Sequence, residues 1–244
     1  MKILSVLTAA ALLSAVFFFS SCTPEPEIPE DIKPPVNVDE AFKKTYFLGD
    51  SNTAHLAHSS YKAISGLVLP SHILTGGGGT LMLDLGMQII DPESDEPISV
   101  SAAAEKYKPE YLLITLGYNG YAFSENLDTL FYRAYEKLIN SVKTASPETS
   151  IIIQSIFPVR SGTAIKDPDR VNARIDTLNS HLIRLASENG VKYLDTQSIL
   201  RDEHGHLRAE YSCKGSFYHA DGYHLSDTGL LAVINYIKSN AYGD

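Results

Sequence analysis

Four short groups of residues, met in one order along the chain, carry the side chains and backbone that acyl transfer requires. Gly49-Asp50-Ser51 follows the apolar run Tyr46-Phe47-Leu48. Gly76 to Gly79 are consecutive glycines. Gly117-Tyr118-Asn119 follows the run Tyr111 to Leu116, and Asp221-Gly222-Tyr223-His224 lies close to the C-terminus. A serine hydroxyl is a poor nucleophile at neutral pH until a base sits within hydrogen-bond reach, and the tetrahedral intermediate needs N–H donors for its oxyanion. Ser51 offers the hydroxyl, His224 the base, and Asp221 a carboxylate three residues before it to fix the imidazole tautomer. The glycines and Asn119 offer the donors. Each group taken alone has a plainer reading: Ser51 as a helix N-cap, His224 as a satisfied surface histidine, the glycines as a loop, Asn119 as a turn residue in Gly-Tyr-Asn-Gly. Their order, and the apolar run before two of them, favours the chemical reading.

With these motifs the chain resembles the SGNH (GDSL-like) hydrolases, over nearly all of its length after residue 44. The resemblance implies Ser51 as nucleophile, with its own N–H as one oxyanion donor. Gly78 is the implied second-block donor because Thr80 follows the glycine run, and the Asn119 amide is the third. Asp221 and His224 match the Asp-x-x-His block. One departure stands out: Gly120 occupies the place of the second acid in the usual Gly-x-Asn-Asp, which leaves the support of the Asn119 loop to other residues. The implied fold is the flavodoxin-like SGNH sandwich. The implied activity is ester hydrolysis without a cofactor, or acyl transfer to a sugar hydroxyl at the same site. A non-catalytic, carbohydrate-binding descendant of the fold is the third reading, against which the completeness of Ser51, Asn119, Asp221 and His224 argues.

Other residues are weighed beside these. Tyr118, Tyr121 and Phe123 flank Asn119, as pocket-lining residues with Tyr118 and Tyr121 foremost or as simple loop anchors. Asp202-Glu203-His204-Gly205-His206 has the residue types of a metal cluster but reads as a turn, and no metal site is expected. His219 is a rival to His224 that lacks an acid three residues before it. Arg160, after Phe157-Pro158-Val159, is a candidate substrate contact.

The elements that must position these groups are legible as alternating patterns. Thr45 to Leu48, Leu112 to Leu116, Ile151 to Ile156 and Val191 to Leu194 are short, nearly continuous apolar runs, as in parallel strands covered on both faces. A further strand is expected within Leu67 to Leu74, although Pro70 interrupts it. Between the runs lie helical stripes: Leu127, Leu130, Phe131, Ala134, Leu138 and Val142; then Val171, Ile175, Leu178, Leu182 and Leu185; then Leu230, Val233, Ile234 and Ile237, capped by Ser226 or Asp227. A helix beginning near Asn52 would put Ser51 at its N-terminus. Repeated strand–helix units predict an α/β fold, a doubly wound three-layer α/β/α sandwich with a mainly parallel sheet. Ligands of such sheets bind beyond the carboxyl ends of the strands, where Ser51 and Asn119 fall.

The N-terminal region reads differently. Lys2 is the only charge before Cys22, Ile3 to Phe19 is almost wholly apolar, and Ser20-Ser21-Cys22 ends the segment. This is the pattern of a secretory signal, 1–21, and the cysteine after small residues resembles a bacterial lipobox with Cys22 as the lipidated residue; a plain signal with an incidental cysteine is the alternative. Residues 22–38 hold Pro24, Pro26, Pro29, Pro34 and Pro35 among Glu25, Glu27, Glu30 and Asp31, an extended, self-repelling tether. Residues 39–244 are expected as one catalytic domain, secreted across the cytoplasmic membrane and anchored as a lipoprotein. The formal charge of −9 becomes −9 − 1 = −10 once the segment carrying Lys2 is removed, which argues against nucleic acid or anionic lipid headgroups as partners. The expected partner is a small-molecule or carbohydrate ester, with the membrane engaged only through the N-terminal lipid. With two cysteines in all and Cys22 assigned to lipid, Cys213 has no partner for a disulfide.

Overall fold

A computed structural model of the chain describes residues 36–84, 86–213 and 221–243. The segment 1–35, with Cys22, lies outside the described residues, as does His219. The fold opens with helix α1 (Val38–Lys43), which Asn37 caps by accepting from the Glu40 N–H. The helix therefore begins inside the segment expected as tether. Strand β1 (Thr45–Gly49) follows and runs directly into α2 (Ser51–His55).

The remaining sheet strands are β2 (Ile73–Leu74), β5 (Tyr111–Thr115), β6 (Ser150–Gln154) and β7 (Lys192–Leu194). They pair in the order β2-β1-β5-β6-β7, all parallel, with Phe47 opposite Leu113 and Gly49 opposite Thr115. The expected strand within Leu67 to Leu74 shrinks to its last two residues, because Pro70 starts a 3-10 turn, Pro70–His72, and cannot donate to a ladder. A separate antiparallel hairpin, β3 (Gln88–Ile90) with β4 (Pro97–Ser99), had no counterpart in the sequence reading. Three-residue strands carry too few residues to show a period.

Successive strand residues point to opposite faces, and each face has its own core. Leu48, Leu112, Ile114, Ile151 and Ile153 face α3 (Val100–Tyr107), α4 (Asp128–Ala145) and α5 (Pro168–Asn189), whose Ala103, Phe131, Val142, Ile175 and Leu182 pack against them. Phe47, Leu113 and Ile152 face α1 and α7 (Asp227–Asn240), where Phe42, Leu230, Ile234 and Ile237 complete the second core. A short helix, α6 (Gln197–Leu200), follows β7. The molecule is thus the three-layer α/β/α sandwich expected. Of the two cap candidates for α7, Ser226 does the capping: its Oγ accepts from the Gly229 N–H. Pro168 starts α5 behind its Asp167 cap, and Gly190 ends it in the left-handed region.

The strand order places one point apart from the rest. From β1 the chain winds outward to β2; from β5 it winds the other way, through β6 to β7. Between β1 and β5 the connections diverge, leaving a crevice at the carboxyl edge of the sheet. Ser51 follows β1 there and Asn119 follows β5.

Candidate active site

Gly49 ends β1, and Asp50 turns the chain into α2 by accepting from the Asn52 N–H with its side chain. Ser51 is consequently the first residue of a helix, where free N–H groups and the helix dipole favour developing negative charge. Its Oγ lies 2.8 Å from His224 Nε2, and His224 Nδ1 lies 2.6 Å from Asp221 Oδ2. A carboxylate only accepts, so Nδ1 carries the proton and the Nε2 lone pair receives the Ser51 hydroxyl. Asp221 Oδ1 takes the N–H groups of Tyr223 and His224 at 2.9 and 3.0 Å. Burial pushes the Asp221 carboxyl up, but the His224 imidazole and these two N–H groups outweigh it and hold the pKa below the ordinary carboxylate value.

Asp50 is the opposite case. Burial dominates there and pushes its pKa up to about 6, against the Asn52 N–H, which favours the charge.

The segment carrying His224 is seated on α2 by a side chain that sequence reasoning missed. Asn52 Nδ2 donates to the Tyr223 carbonyl at 3.1 Å, and Asn52 Oδ1 accepts from the Leu225 N–H at 3.0 Å. One amide thus grips the backbone on both sides of His224. From the other side the Cys213 N–H donates to the His224 carbonyl, and the Arg160 N–H donates to the Gly222 carbonyl. Arg160, a candidate substrate contact, also holds this loop through its backbone. Gly222 has φ +90°, and a Cβ there would stand 2.3 Å from Thr163 Oγ1, so the turn between Asp221 and His224 needs glycine.

The donors gather at the same edge. The turn Gly77–Gly79 packs on α2, and within the glycine run it is Gly79 that approaches Ser51: a Cβ there would meet Ala54 Cβ at 3.0 Å and Ser51 Cα at 3.9 Å. The Gly79 and Thr80 N–H groups are spent on the Gly76 and Gly77 carbonyls, whereas among the described residues the Gly78 N–H has no such bond. Asn119 donates one amide hydrogen to the Leu81 carbonyl at 3.2 Å, which fixes the amide plane and leaves its second N–H for a ligand. Gly120 stands where the resemblance expects an acid, and the loop is held from α5 instead. Arg174 Nε donates to the Tyr121 carbonyl at 3.4 Å, and Arg174 Nη1 donates to Asp128 Oδ1 at 2.8 Å. The Arg174 bond is the main reason the Asp128 carboxyl lies below its ordinary pKa.

Tyr118 and Tyr121, weighed as pocket residues or as loop anchors, are both buried. Tyr118 packs against Tyr223 and Phe123, and Tyr121 against Phe131, so they anchor the loop. The exposed apolar side chains beside Asn119 are Phe123 and Met82, the latter within 2.9 Å of a Cβ placed on Gly120. Asp202 organises a turn by accepting from the His204 and His206 N–H groups.

Residues 47–230 match the GDSL-like Lipase/Acylhydrolase family. The chain belongs to that family. No curated protein matches it. Among solved structures, this GDSL-like hydrolase is similar to the periplasmic domain of a lipopolysaccharide acetyltransferase from Salmonella ser. Paratyphi A, with a TM-score of 0.55 and 20% identity, covering 82% of this chain and 84% of that one. It is also similar to a protein from Slackia heliotrinireducens described as an SGNH hydrolase, with a TM-score of 0.52 and 17% identity over 81% of this chain and 98% of that one. At these identities the structural likeness speaks for the fold, and the family match carries the assignment as a hydrolase.

Proposed function

We propose that this hydrolase is an extracytoplasmic serine esterase for acyl esters, foremost acetyl esters on carbohydrate. The observation that carries the reading is the unbroken hydrogen-bond chain from Ser51 Oγ through His224 to Asp221. In the first half-reaction Ser51 Oγ attacks the ester carbonyl carbon while His224 Nε2 takes the hydroxyl proton. The carbonyl oxygen becomes an oxyanion, received by the N–H groups of Ser51, Gly78 and Asn119. Collapse expels the alkoxide, which leaves as the alcohol with the proton from Nε2, and an acyl-serine remains. Water then attacks that ester with His224 again as base, and the acid departs. Asp221 keeps its charge throughout and stabilises the imidazolium of each half-reaction. No step calls for a cofactor.

Location belongs to the proposal as well. The apolar segment ending in Ser20-Ser21-Cys22 supports export and lipidation at Cys22, with the Pro/Glu-rich stretch holding the domain off the membrane, where surface polysaccharide lies.

A second reading keeps the site and replaces water with a sugar hydroxyl, giving an O-acyltransferase. Likeness to an acetyltransferase domain favours keeping it. Both are tested by following p-nitrophenyl esters from acetate to octanoate, and acetylated xylan, pectin and peptidoglycan, with and without acceptor sugars. Free acid released by the wild type and not by Ser51→Ala supports the esterase. Acylated acceptor formed at the expense of free acid supports the transferase. Neither product from any donor overturns both.

A further inference from the structure

A second histidine stands beside the proposed base, and neither the motifs nor the reaction as written uses it. His55 lies one helical turn after Ser51, which puts the two on the same face of α2. Its ring centroid is 5.0 Å from that of His224, with the planes tilted by 47°. Tyr223 approaches the same imidazole at 4.4 Å, so rings of His55 and Tyr223 both bear on it. His55 is in turn tied down: its Nδ1 is 2.9 Å from the Tyr61 hydroxyl, and the two rings pack at 4.8 Å. Both residues are buried, His55 to 3% exposure.

We propose that His55, fixed by Tyr61, is a positioning residue for the base, the backstop that keeps His224 Nε2 aimed at Ser51 Oγ while the imidazole gains and loses its proton. This rests on the serine-esterase reading. General-base catalysis depends steeply on geometry, and a base free to tilt loses the short contact with the nucleophile. A backstop beside an imidazolium must also stay uncharged. Burial does that here, holding the His55 pKa down to about 4, with the neighbouring His224 and His58 acting in the same direction and Asp221 against it. The arrangement is therefore a ring that supplies shape without competing charge, and a phenol that stops the ring from turning.

The test measures kcat and KM for p-nitrophenyl acetate in His55→Ala, Tyr61→Phe and the double variant, with thermal unfolding of each. His55→Ala is expected to lower kcat by roughly 10- to 100-fold and Tyr61→Phe by about threefold to tenfold, with KM within about twofold of wild type. Because Tyr61 acts through His55, Tyr61→Phe should add nothing in the His55→Ala background. Wild-type kcat in both single variants overturns the proposal, as does a loss confined to KM, or fully additive losses. Tyr61→Phe removes a single oxygen and keeps the test decisive should His55→Ala fail to fold. Wild-type turnover that survives Ser51→Ala overturns the esterase reading itself and this proposal with it. Turnover that depends on Ser51 but not on His55 or Tyr61 overturns the backstop alone.

Discussion

Asp221 divides its two oxygens, one to the backbone of its own turn and one to the imidazole of His224. Replacing it by Asn keeps most of the shape but allows the wrong imidazole tautomer, whereas removing His224 deletes the proton acceptor. Asp221→Asn is therefore expected to cost less kcat than His224→Ala, and the double variant to be little worse than His224→Ala alone, because the two act as a unit. Strict additivity in the kinetic cycle would contradict the assignment. Asn52 makes a separate forecast. Asn52→Leu strands the Tyr223 carbonyl and the Leu225 N–H in a buried setting, at ~1–3 kcal/mol each. Denaturant unfolding should show a loss of about 2–6 kcal/mol for the two together, with a fall in kcat because the strip holding His224 loosens. Unchanged stability and activity would show that the clamp is idle.

At the scale of elements, α2 is short but concentrates the site, since Ser51, Asn52 and His55 are three of its five residues. Its cap, Asp50, gives a pH signature. The native carboxyl keeps its proton up to about pH 6, while the unfolded chain releases it near the ordinary aspartate value of 3.8. Unfolding between those values therefore releases a proton, and stability falls as pH rises through the window, by on the order of 2–3 kcal/mol. Asp221, whose folded pKa is lowered, acts with the opposite sign and below that window: its contribution is lost as pH falls through the folded value. Asp50→Asn keeps a capping oxygen and removes the titration. The Tm difference between Asp50→Asn and wild type should grow steadily in favour of the variant from about pH 4 to about pH 7, and a constant difference would contradict the buried-carboxyl account. The nucleophile turn, the glycine run, Asn119 and the Asp-x-x-His turn were legible in sequence because each is a local pattern beside an element boundary. Asn52, His55, Tyr61 and Arg174 were not. Asn52 acts on partners 171 and 173 residues away, and no local period reports such contacts. For Tyr118 and Tyr121 the sequence left two readings open, pocket lining and loop anchoring, because only packing separates them, and both side chains are buried.

For the whole molecule, two cores on opposite faces of one parallel sheet hold the strands β1 and β5 from whose ends Ser51 and Asn119 follow. Phe131 is fully buried in one core and packs on Tyr121 and Tyr135, so Phe131→Ala should cost ~3–5 kcal/mol and weaken the support under the Asn119 loop. The proposed anchor is tested by Cys22→Ala, which should release the protein from the membrane fraction or block its processing; unchanged mobility and membrane retention would count against lipidation. The central claim is that Ser51 is a nucleophile activated by His224. Its most direct test is reaction of the intact protein with a fluorophosphonate, followed by peptide mass spectrometry. One covalent label is expected, on Ser51, slowed by substrate and absent from Ser51→Ala, whose folding is unchanged and whose kcat is lower by roughly 10³ or more. A wild-type protein that takes no label, or takes it at another serine, together with a Ser51→Ala variant that still turns over ester, would contradict the account.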